Sequence, residues 1–178
     1  MTTQSPADVG LGYLGPIISS WYTRPLVPPL GFSGVTLSDV TARFGLFHLP
    51  YRLLSSRLAY SVNGGGTSVV HIALYSILDN NRAILLQGPG ALGVQIVQQA
   101  LSLPFGVYWI GVCDDGSGTH PGLDFWSTPS IPLINDSVPA GGFSFEGNLA
   151  ILAGNLPEAL SPLNITPAGD RTLVLRFD

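Results

Sequence analysis

The chain has 178 residues, enough for one domain that buries its own core without a metal or a disulfide. Apolar residues make up 46% of it and charged residues only 10%, well under the roughly 25% usual in soluble domains. Net charge is −4, all seven basic residues are arginine and no basic run occurs, so the electrostatic footprint of nucleic-acid binding is missing. Residues 1–33 hold Pro6, Pro16, Pro25, Pro28 and Pro29, interleaved with Tyr13, Leu14, Ile17, Ile18, Trp21 and Tyr22. That proline density forbids a long helix or a central strand, and a disordered tail would be more polar. The segment reads as an extended docking arm, with Tyr13, Ile17, Trp21 and Tyr22 as its contact residues. It lies either on its own domain or on another subunit. Its start lacks the basic and apolar regions of a signal peptide.

From Gly34 to Asp178 the pattern is β. Val35-Thr36-Leu37 opens it, and Ala42 to Leu49 is a strand closed by Pro50. Leu58, Tyr60 and Val62 alternate with Ala59 and Ser61, the period of a half-buried strand. After the turn Asn63-Gly64-Gly65-Gly66, Val70, Ile72 and Leu74 face one way and His71, Ala73 and Tyr75 the other. Asp79-Asn80-Asn81 supplies a tight turn before a return strand, Ala83 to Gln87. Val94, Ile96 and Gln98 alternate with Gln95 and Val97. Val107 to Cys113 is apolar on both faces, as a central strand would be, and places Trp109 in the core with Tyr108 on the opposite side. Pro89 and Pro104 exclude a membrane span across this apolar region. Phe143 to Phe145 and Arg171 to Phe177 are closing strands. Only Asn148 to Leu160 has helical character, cut by Gly154 and Pro157. Strands at roughly ten-residue spacing with Gly and Pro turns predict an all-β, antiparallel, jelly-roll-like sandwich carrying an N-terminal arm.

Chemistry is sparse. His48, His71 and His120 are far apart, Ser55 and Ser56 lack a nucleophile elbow, and Glu146 and Glu158 are separated by Gly154 and Pro157. Cys113 reads as a small buried hydrophobe. No catalytic residue, metal site or cofactor is expected. The candidate ligand contacts are Asp114, Asp115 and His120 in the loop before Gly122, and Trp126 just after it.

Arg57-Leu58-Ala59-Tyr60-Ser61-Val62, Ile72-Ala73-Leu74-Tyr75-Ser76, Pro89-Gly90-Ala91-Leu92 and Leu101 to Ile110 occur in an order that resembles a β-sandwich module of tailed-bacteriophage virion surface proteins. Tyr22 to Leu26 and Leu46 to Pro50 resemble its lead-in, so the likeness runs from Tyr22 to about Gly116. It departs where Gly90-Ala91-Leu92 follows Leu85-Leu86 instead of preceding a Leu-Leu pair. The resemblance implies a non-enzymatic structural protein on the virion exterior, as capsid decoration or neck or tail appendage. It implies a homotrimer partnered by other virion proteins. The alternative is an adhesin for host surface glycans.

Overall fold

The computed structural model describes residues 21–23, 25, 29–127, 146–168 and 172–178. Among the described residues twelve strands form two antiparallel sheets: β1 Trp21–Tyr22, β2 Gly31–Thr36, β3 Thr41–Leu49, β4 Leu53–Gly64, β5 Val69–Ser76, β6 Arg82–Pro89, β7 Gly93–Leu103, β8 Gly106–Asp114, β9 Gly122–Ser127, β10 Glu146–Ala150, β11 Thr166–Pro167 and β12 Leu175–Phe177. In one sheet β2 pairs with β9, β9 with β4 and β4 with β7. The other contains β3-β8-β5-β6 in that order. Eight consecutive strands distributed as 2-9-4-7 over 3-8-5-6 are a jelly roll, two interleaved Greek keys. The expected fold class is what the chain adopts.

Alternation explains the sandwich. Leu58, Tyr60 and Val62 of β4, Val70, Ile72 and Leu74 of β5, and Tyr108, Ile110 and Val112 of β8 meet between the sheets. Phe47 and Tyr108 stack there at 5.8 Å. The opposite face of β3-β8-β5 is apolar too. Phe44, Leu46, Ala73, Tyr75, Trp109 and Cys113 form a second core under Leu156, Leu160 and Ile165. The both-face apolar character of β8 is therefore met inside the chain, by the segment after β10, rather than by a neighbour. That segment is not helical. It opens as β10, pairs along β3, and continues through the bridges Leu152↔Asn155 and Asn81↔Ala159. Gly154 at φ +68° and Ala153 at φ +46° make a turn that a helix could not contain.

The division between arm and sandwich also differs from the reading at Ser33/Gly34, because Gly31 to Ser33 already belong to β2. Upstream, Trp21 pairs with Phe177 and Tyr22 with Arg176, while Pro25 bridges Phe47. This end of the arm docks on its own sheets. Tyr13 and Ile17, and the strand read at Phe143 to Phe145, lie outside the described residues.

Candidate functional site

The loop from Asp114 to Pro121 closes on itself. Asp114 is fully buried, and Oδ1 accepts from the Gly116 amide at 2.9 Å. His120 Nδ1 lies 3.0 Å from both oxygens of that carboxylate. Asp115 Oδ1 accepts from the amides of Val69 and Ser117, at 2.9 and 3.0 Å, and from Ser117 Oγ at 2.7 Å. The Ser117 hydroxyl and amide hold the Asp115 carboxyl below its ordinary pKa. Gly116, at φ +66°, supplies the left-handed residue the turn needs. Asp114 and His120 thus come together, while Asp115 is held by Val69 and Ser117, and these bonds order the loop. Among the described residues no group of three or more His, Cys, Asp or Glu side chains is placed to hold a metal ion.

Trp126 does not join them. On β9, Leu123 and Phe125 enter the core, so by alternation Asp124 and Trp126 stand on the outer face of the 2-9-4-7 sheet. Its indole Nε1 donates to the Thr23 carbonyl at 2.6 Å. Its ring lies against Phe32, directly across the ladder, with centroids 4.6 Å apart. Phe32 is 64% exposed. Two residues along the same face, Asn63 Nδ2 donates to Asp124 Oδ1 at 2.6 Å. Phe32 and Asn63 were not among the candidates read from sequence, and Asp124, read there beside Asp114, Asp115 and His120, bonds Asn63 instead. Sequence offers only Phe32 as an alternating aromatic, and the pairing of β2 with β9 is what makes it Trp126's neighbour. Farther across this face a shallow depression of about 180 Å³ is bounded by Tyr22, Ala59, Ser61, Val94 and Arg176.

A second hollow, about 420 Å³, lies on the other sheet between β5, β6 and the 154–158 turn. His71 Nδ1 is 2.9 Å from the Gly154 carbonyl, which can only accept, so Nδ1 carries the proton. His71 Nε2 then accepts from the Gln87 amide at 3.1 Å. Arg82 Nη1 donates to the Leu156 carbonyl at 2.7 Å, and Nη2 is 3.8 Å from Glu158. These side chains fasten the covering segment to the sheet. Glu146, the other glutamate, is buried and accepts from Thr172 Oγ1 at 2.5 Å, whereas the Glu158 side chain is 92% exposed.

Compared with known protein families and with curated proteins, the chain matches no family model and no curated sequence.

Proposed function

We propose that this chain is a non-enzymatic structural protein of a tailed-bacteriophage virion. It self-associates on the particle exterior, as capsid decoration or neck or tail appendage, and attaches through residues 1–20. The observation that carries this reading is the jelly-roll strand order, an architecture used by viral capsid and lectin domains. Added support comes from the charge-poor composition and from polar groups of the loops that are engaged in ordering the chain itself. The test is incorporation. Deleting residues 2–20 should leave a folded protein that no longer enters particles, counted by quantitative mass spectrometry. Normal occupancy of the truncated protein would overturn the reading.

A second reading, a host-glycan adhesin, is favoured by one feature: the exposed Phe32–Trp126 pair beside Asn63 and Asp124. Aromatic faces next to amide and carboxylate groups suit sugar C–H faces and hydroxyls. Glycan-array binding that disappears in Phe32→Ala, with the melting temperature unchanged, would support it. No binding by the intact protein would remove it.

A further inference from the structure

Sheet edges expose rows of unpaired N–H and C=O groups, and native proteins guard them with charges, prolines, bulges or shortness. Most edges here are guarded. β11 is two residues long and ends in Pro167, and β1 is likewise two residues. β2 is short, holds Gly31 and Gly34, and follows Pro29. β6 ends in Pro89, and its first residue, Arg82, is covered by the 154–158 turn, its amide donating to the Glu158 carbonyl at 2.7 Å.

β7 is the exception. One side pairs with β4, and among the described residues its other side has no strand partner. A register shift opposite Ser55–Arg57 interrupts it beyond Gln98, leaving Gly93-Val94-Gln95-Ile96-Val97-Gln98 in unbroken pairing with Arg57 to Val62. This run has no charge and no proline, and it is rich in β-branched residues. Val94 is 66% exposed and Ile96 48%.

We propose that the Gly93–Gln98 edge pairs antiparallel with the same edge of a second copy, fusing two 2-9-4-7 sheets into one. Only a strand satisfies a row of alternating donors and acceptors, so the occupant is extended backbone. The edge offers no charge for a charged strand to complement. Its own sequence is uncharged, so self-pairing places no like charges opposite one another. A twofold axis perpendicular to the sheet keeps both outer faces on one side. Residues directly opposite then share a face, which puts the axis on a residue, Gln95 or Ile96. With the axis on Gln95, Val94 of each copy lies opposite Ile96 of the other; with it on Ile96, the two Ile96 side chains meet and Val94 lies opposite Gln98. The contact is isologous, giving a dimer by itself and a hexamer when combined with the threefold contact that the resemblance implies. This inference deepens the self-association in the proposed function by naming its interface, and does not depend on a virion location.

The test is sedimentation of the full chain at micromolar concentration, wild type against Val94→Lys/Ile96→Lys. Lysines on an edge oppose edge pairing, and both positions are exposed enough to tolerate them. The expected result is a wild-type mass that is an even multiple of the chain, halved in the variant, with the same circular dichroism. A wild-type oligomer whose mass the lysines leave unchanged would overturn this interface while leaving self-association standing. A monomeric wild type would overturn both. If the lysine variant fails to fold, cross-linking decides. Cys113 is fully buried, so a short bis-maleimide should join copies of Ile96→Cys. It should not join copies of Ser102→Cys, which would sit roughly 40 Å apart at about 3.3 Å per residue. Equal cross-linking of the two, or none, would reject the pairing.

Discussion

The hydroxyl of Thr23 donates to the carbonyl of Leu173 at 2.6 Å, joining residues 150 positions apart in a fully buried contact. The same oxygen accepts from the Leu175 amide at 3.0 Å. The Thr23 amide donates to the Leu175 carbonyl at 2.8 Å, and its carbonyl receives the Trp126 indole. One residue ties the segment before β2 to β12 and to β9.

Thr23→Val keeps the shape and removes the hydroxyl, leaving the Leu175 amide without that acceptor inside the protein. The expected loss is about 1–3 kcal/mol, read as a lower urea midpoint with an unchanged slope. No change in midpoint would mean that the hydroxyl contributes nothing to holding β12.

Truncation should divide sharply at this residue. Removing 2–20 should preserve a cooperative thermal transition, whereas removing 2–23 also deletes β1 and the Thr23 contacts and should lower the melting temperature by several degrees, since roughly 1 kcal/mol moves a domain of this size by about 2–4 °C. Equal melting of the two proteins would contradict the role assigned to Thr23.

Trp109 is fully buried under the 149–165 segment, on the face of β8 opposite Tyr108. Trp109→Ala should cost about 3–5 kcal/mol, measured by denaturant unfolding. The large loss should appear although Trp109 lies outside the core between the sheets, because the covering segment makes its own side of the sheet equally dry.

Alkaline pH should destabilise the fold. Burial, reinforced by Asp114, Asp115 and Asp39, pushes the Cys113 thiol from its ordinary 9.0 up to about 12. Burial also raises Tyr60 and Tyr75, whose hydroxyls donate to the carbonyls of Pro89 and Pro157. Each raised group stays protonated in the fold while the unfolded chain ionises. Unfolding therefore releases protons, and stability falls as pH rises from about 9 towards 12. Urea midpoints at pH 7, 9 and 10.5 should decline in that order. At pH 8 the native thiol should resist a disulfide reagent that reacts readily in urea.

Sequence alone determined the central strands β3, β4, β5 and β8 and the faces on which their apolar residues lie. The alternation at Leu58–Val62 and Val70–Tyr75 survives intact because a strand's two faces are fixed by local backbone geometry. The same rule placed Trp109, Tyr108 and Cys113 in their cores. What covers a face is a long-range matter. The apolar back of β8 looks the same in sequence whether a neighbouring subunit or residues 149–165 lie on it, and only the tertiary structure decided for the latter. Asn148 to Leu160 has helical character taken alone, and pairing of its first residues along β3 overrides that preference. Trp126 stands five residues after Pro121 in sequence. Yet a strand's rise and alternation carry it away from Asp114, Asp115 and His120, to a platform with Phe32 that only the pairing of β2 with β9 creates.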